Sequence, residues 1–270
     1  MPKKKSSTST ISILKRVLNC LESKDKDKDF GFEHATDSGT VAAPAAAPPA
    51  SKDLRESWWK IADQGTTGSC VGWGTADGLL RWHFVKANRL DKDELLSVRF
   101  IWMAAKETDE FTSMPTTFIE PDGTSLKAGL DIARKYGVVF DSILPFESGK
   151  LYQDEVKTFY AIAAQRKIAS YFNLGTNLSA WRTWLATKGP VLTRLDVDAT
   201  WDNATATKGK LDVYQPATKR GGHCVAFVGY TPDRFIVRNS WGTNWGDKGF
   251  GYASLQYAQS AFTEAYGISL

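Results

Sequence analysis

Apolar positions recur at helical spacing from Cys70 to about Asn88, where Val71, Trp73, Leu79, Leu80, Trp82 and Phe84 follow the turn-prone GTTGS. The pattern predicts a buried helix starting at Cys70. Further helices are predicted over 97–105, 125–136, 154–164 and 179–187, the second closed by Gly137 at a C-cap position. After Gly189-Pro190 the period shortens to that of strands, at 191–195, 224–230, 235–239 and 249–255. Helices followed by strands predict an α+β fold of two layers meeting at a cleft.

The first 50 residues read differently. A lysine run, a Ser/Thr stretch, the alternating charges of residues 24–29 and the VAAPAAAPPA of residues 41–50 predict a disordered or weakly helical basic extension with a Pro/Ala linker. Ile11, Leu14, Leu18 and Leu21 form one stripe, so a short helix around Ile11 to Leu21 is expected to dock on a partner, on a membrane surface or on the protein itself as a self-inhibitory segment. The globular domain is expected over 51–270, helical over about 51–165 and strand-rich over about 166–270.

Charge narrows the partners. Of 34 basic and 30 acidic residues, five basic and no acidic ones fall in the first 18, leaving 29 against 30 in the rest. The globular part carries no basic excess, so nucleic-acid binding is not expected. No run is long and apolar enough for an integral membrane segment, and no signal-peptide pattern is seen, so a cytoplasmic protein is expected, with non-classical export as an effector the other option. The three cysteines, Cys20, Cys70 and Cys224, are widely spaced and only three histidines are present. A disulfide framework, a metal site or another cofactor is therefore not expected.

A reactive thiol becomes the candidate chemistry. Cys70 falls at the first turn of a predicted helix, where free amides and the helix dipole favour thiolate. Such a nucleophile needs a base, a group that orients the base and donors for an oxyanion. Gly222-His223-Cys224 opens one predicted strand and Asn239 closes the next, and a hairpin would set the two side by side. Alone, Cys70 would be a buried structural thiol and His83, among apolar neighbours, a packed histidine. The ten tryptophans are read as core.

Four ordered blocks resemble the papain-like cysteine peptidases: Gln64, Gly68-Ser69-Cys70, Gly222-His223, and Asn239-Ser240-Trp241-Gly242 continuing through Trp245-Gly246 to Gly249-Phe250. Weaker likeness at 53–55, 129–145 and 189–191 extends the resemblance over about residues 51–260. It implies the papain-like two-subdomain fold, with a helical subdomain, a β-barrel-like subdomain and the cleft between them. It also implies a thiol peptidase acting on peptide or protein substrates without a cofactor. By this resemblance Cys70 is the nucleophile, His223 its imidazolium partner, Asn239 the orienting group and Gln64 an oxyanion donor, with Ser69 and Trp241 in support. Gly123, Thr124, Gly222 and Cys224 are the candidate substrate-binding residues. The sequence departs from the family at Val71, where an aromatic is usual, at Thr67, where secreted relatives have a disulfide cysteine, at Thr124, usually a second glycine, and at Cys224, usually a small residue. Residues 1–50 are shorter than the family's inhibitory propeptide and lack its helical signature. An endopeptidase is expected. The alternatives are an exopeptidase or maturation protease with one cleft end blocked by 108–123 or the tail, an acyltransferase, and a non-catalytic peptide-binding module.

Overall fold

The computed structural model describes residues 16–41, 47–109, 122–148 and 155–270. Cys70 opens one continuous helix that passes from α2 (Cys70–Gly72) through a π-helical stretch (Trp73–Leu80) into α3 (Arg81–Lys86). Its small residues allow close packing: a side-chain carbon on Gly74 would collide with Cys224 Sγ on the other half of the molecule. Around this helix pack α4 (Val98–Asp109) and α5 (Leu126–Lys135), with α6 (Val156–Ala164) beyond them. Ser125 caps α5, accepting from the Ala128 amide at 3.3 Å, and Gly137 follows it in the left-handed region at φ +89°. Leu79, Leu80, Phe84, Ile101, Leu126 and Leu130 fill the core of this half.

The second half rests on one sheet. After β1 (Lys52–Asp53) and β2 (Ser170–Asn173) come α7 (Leu178–Thr187), β3 (Val191–Val197), β4 (Lys210–Leu211), β5 (Gly221–Tyr230), β6 (Arg234–Arg238), β7 (Phe250–Ser254), α8 (Leu255–Ala261) and β8 (Phe262–Ser269). The strand order is β2-β8-β3-β5-β6-β7-β4, with β1 added beside β5. The sheet is therefore barrel-like without closing. Trp181, Trp184, Trp201, Phe227, Phe235 and Phe262 pack its core. The expected strands are all present, while β1, β2, β4 and β8 add further strands and α8 a helix.

A buried charge cluster joins the halves. Arg238, at the end of β6, pairs with Asp77 on the π-helical stretch and donates to the carbonyls of Trp59 at 3.0 Å and Lys60 at 2.7 Å. Arg81 pairs with the other Asp77 oxygen at 3.2 Å. Each charge thus has several partners, as burial requires.

Residues 16–41 differ from the expected disordered extension. From Arg16 to Ser23 the chain is extended rather than helical, because the Cys20 and Leu21 amides donate across to Gly222 and Thr124 carbonyls, at 3.0 and 3.1 Å, instead of along a helix. Residues 11–15 of the expected helix lie outside the described residues. Farther on, Gly31 bridges Asn173 at the sheet edge, and α1 (Phe32–Asp37) buries Ala35, with Val41 beyond it, in the core of the sheet half. The alternating charges find partners: Asp29 with Lys127 at 2.6 Å and with the Tyr266 hydroxyl at 3.0 Å, Lys26 with Glu264 at 3.6 Å. Composition predicts disorder by averaging. A few apolar anchors and paired charges suffice to hold this segment. Among the described residues no helix is long and apolar enough to cross a membrane.

His83 is packed against Trp82, and burial lowers its imidazole from 6.5 to about 4. Between these values the unfolded chain binds a proton that the folded one does not. Stability should therefore fall as pH drops from 6.5 toward 4, by about 3 kcal/mol from this residue alone. Denaturant unfolding at pH 7 and pH 4 checks this: His83→Gln should shrink the difference by about that amount, and an unchanged difference would refute it.

Candidate functional site

The start of α2 and the start of β5 face each other across the cleft, and this opposition assembles the site. Cys70, His223 and Gln64 have no solvent exposure and Asn239 is 3% exposed. His223 Nε2 donates to Asn239 Oδ1 at 2.8 Å, and the same oxygen accepts from the Ser240 amide at 2.8 Å. With Nε2 so engaged, Nδ1 is the nitrogen left for the Cys70 sulfur, which is within hydrogen-bonding reach of the imidazole. Trp241 lies over the imidazole at a centroid distance of 4.8 Å, and Trp201 meets its edge at 5.7 Å. These indoles keep water from the His223–Asn239 bond. Trp201 is itself held by a bond from its Nε1 to the Tyr257 hydroxyl (2.9 Å), which donates on to Asp198 (2.7 Å).

Gln64 is fixed at both ends of its amide. Its Nε2 donates one hydrogen to Thr67 O at 3.0 Å, leaving a second, and its Oε1 accepts from Ser240 Oγ at 2.8 Å. Thr67, where the resemblance would have a cysteine, bonds Gln64 O at 2.8 Å and Ser69 Oγ at 2.6 Å. Hydroxyls thus shape the loop before Cys70. Ser240→Ala removes the bond that orients Gln64 and is expected to lower kcat several-fold to tenfold with KM little changed; steady-state kinetics check this, and an unaltered kcat would count against the role.

The Cys70 thiol lies well below its ordinary value. The hydrogen bond from the Cys20 thiol is the largest cause, burial opposes it, and the hydrogen bond and charge of His223 add to the lowering. Burial, and then the neighbouring Cys70, push the Cys20 thiol up. Burial likewise raises Cys224, whose sulfur packs on Gly74.

The four candidate substrate-binding residues lie together, but residues 16–23 cover them. Asn19 O lies where a side chain on Gly123 would be, Leu21 N bonds Thr124 O, and Cys20 N bonds Gly222 O. Cys224 is 1% exposed. Upstream, Arg16 pairs with Asp63 and donates to Gly65 O at 2.7 Å and Trp241 O at 3.2 Å. Downstream, Ser23 N bonds Glu264 at 2.9 Å. The Cys20 carbonyl accepts from Arg194 Nε at 3.0 Å, so the group presented to Cys70 is a thiol and not a scissile carbonyl.

Sequence reasoning missed Trp201, Ser240, Arg16 and Cys20. Ser240 stood inside a motif already singled out, and Cys20 lay on the stripe's helix without chemistry attached. Trp201 and Arg16 carried no spacing signal. Of the proposed blocking segment 108–123, residues 110–121 lie outside the described residues.

The family model described as "Papain family cysteine protease" matches residues 48–266. Cysteine proteinase 3 of Entamoeba histolytica is 25% identical over 232 residues, covering 81% of this chain and 67% of that protein. Cathepsin B-like CP3 of Giardia intestinalis is 28% identical over 233 residues, covering 80% and 72%. Among solved structures, xylellain, a cysteine protease from Xylella fastidiosa, superposes with a TM-score of 0.77 at 20% identity, covering 94% of this chain and 96% of that one. Digestive procathepsin L 3 of Tenebrio molitor gives 0.65 at 17%, covering 95% and 78%. These two likenesses concern the fold.

Proposed function

Because the chain belongs to the papain family of cysteine proteases, we propose that it is an endopeptidase whose nucleophile is Cys70 and whose described form is held latent by residues 16–23. The carrying observation is the convergence of the Cys70 sulfur, the His223 imidazole bonded at its far side to Asn239, and Gln64, brought together from both halves.

In this reading the Cys70 thiolate attacks the substrate carbonyl carbon. The oxyanion is received by the free Gln64 amide hydrogen and the Cys70 N–H, which has no helical partner at this first position. His223 Nδ1–H protonates the leaving amine, and a thioester remains on Cys70. The neutral imidazole then takes a proton from water, whose oxygen attacks the thioester and releases the acid. Asn239 holds the imidazole plane through both steps, as a third group does in related triads.

Endopeptidase action is favoured by the course of residues 16–23. They run as one extended strand from Asp63 and Trp241, past Cys70, to Thr124 and Glu264, so the cleft accepts chain on both sides of the sulfur. The test is digestion of a mixed peptide library, with products mapped by mass spectrometry and with an added amine nucleophile in a parallel arm. Internal cuts are expected. Trimming only from an end would favour an exopeptidase, capture by the amine an acyltransferase, and no turnover together with no labelling of Cys70 by a mild epoxide near neutral pH a binding module.

A further inference from the structure

The described residues hold three cysteines, and all three lie in the same half of the core. Cys20, Cys70 and Cys224 are buried in the same core cluster, although 50 and 204 positions separate the first from the others in sequence. Cys20 belongs to the segment laid across the cleft. Its amide is pinned to Gly222 O and its carbonyl to Arg194 Nε, each at 3.0 Å, so both sides of the residue are fixed, and its buried thiol, 3.8 Å from the Leu21 carbonyl, lies in the same core cluster as the Cys70 sulfur and close enough to shift its ionisation. Covering a nucleophile would need only bulk at this position. A second thiol buried beside the first supplies a chemistry that bulk does not.

We propose that Cys20 and Cys70 form a reversible disulfide when the protein meets a peroxide, a modification that ties the covering segment to the nucleophile. In the first step the Cys70 thiolate attacks one peroxide oxygen, giving Cys70–SOH and hydroxide from hydrogen peroxide. The Cys20 sulfur then attacks the sulfenic sulfur, the S–S bond forms, and the displaced hydroxide leaves as water with the Cys20 proton. Two thiols and one hydrogen peroxide become one disulfide and two waters. A dithiol reductant reverses this by exchange, returning both thiols and leaving its own cyclic disulfide. The low thiol at Cys70 makes it the attacking sulfur, and Cys20, buried beside it, the resolving one. Cys224 is the rival resolving thiol, but its sulfur packs on Gly74. The fate of activity in this scheme rests on the reading of Cys70 as nucleophile. The cross-link itself does not.

The experiment uses the full chain. Reduced protein is treated with a small excess of hydrogen peroxide near neutral pH, free thiols are alkylated, and a non-reducing digest is mapped by mass spectrometry. A linked Cys20–Cys70 peptide pair is expected, absent after dithiol treatment and still formed in Cys224→Ser. Peptide hydrolysis should fall at least tenfold and return with dithiol, whereas in Cys20→Ser it should fall and not return, because an unresolved sulfenic acid oxidises further. Absence of the Cys20–Cys70 pair, a Cys70–Cys224 pair in its place, or equal recovery of the wild-type and Cys20→Ser chains would overturn the proposal. A correct cross-link in a chain that never hydrolyses peptides would instead remove the peptidase reading and leave the modification standing.

Discussion

Cys70→Ala should lower peptide hydrolysis on the order of 10⁵-fold, to the limit of detection, with little change in the folded state. In the proposed mechanism the thioester forms on this sulfur, and the remaining parts stabilise charge that then never develops. Loss of His223 should cost nearly as much, because nucleophile and base act as one unit and their losses do not add. Asn239→Ala should cost less, on the order of 10- to 100-fold, since it releases the orientation of the imidazole and not its presence. The comparison is best made on single-turnover rates with circular dichroism and thermal melts alongside. Appreciable cleavage by the Cys70→Ala chain, with contaminating protease excluded by a class inhibitor, would sink the assignment.

Arg16→Ala should do the opposite and raise turnover of the full chain by roughly 10- to 100-fold. The Arg16 side chain is 3% exposed and holds Asp63, Gly65 O and Trp241 O together, which makes it the upstream anchor of the covering strand. Removing one member of a buried pair costs about 3–5 kcal/mol, but the Asp63 side chain is 43% exposed and regains water, so about 1.5–3 kcal/mol is the fitting range. At 1.4 kcal/mol per factor of ten, the open population rises by the stated amount. Arg16→Lys should fall between, because an ammonium has no fork to span three acceptors. A rate that stays level or drops in Arg16→Ala would show that the strand does not limit access. Cutting away all 50 N-terminal residues is a poorer test, since it also removes Ala35 and Val41 from the sheet core.

The residues of the candidate site could be picked out from the sequence because they stand in local blocks. Cys70 announces itself by a helix start, and His223 on β5 and Asn239 just past the end of β6 belong to adjacent strands whose antiparallel pairing, with Ala226 opposite Arg238, the turn at 231–233 already implies. Elements whose stability comes from distant neighbours were not legible. Strand β8 carries Glu264 and Gly267, which read as interruptions, yet it lies between β2 and β3 with Glu264 opposite Arg194. The π-helical turn after Cys70 has no spacing signature of its own. The N-terminal segment was misread for a related reason: the amides of residues 20 and 21 are satisfied by carbonyls about 200 and 100 positions away, respectively, which no window on the sequence spans.

The Asp77–Arg238 pair lies one residue before Asn239 on one side and on the helix that Cys70 opens on the other. Parting the two halves would break this pair together with the bonds from Arg238 to the Trp59 and Lys60 carbonyls, so these contacts resist separation. Entry to the cleft is then a matter of what lies in it: the short N-terminal ribbon, held by Arg16 at one end, by Cys20 and Leu21 in the middle and by Ser23 at the other, has to leave while the frame beneath stays shut.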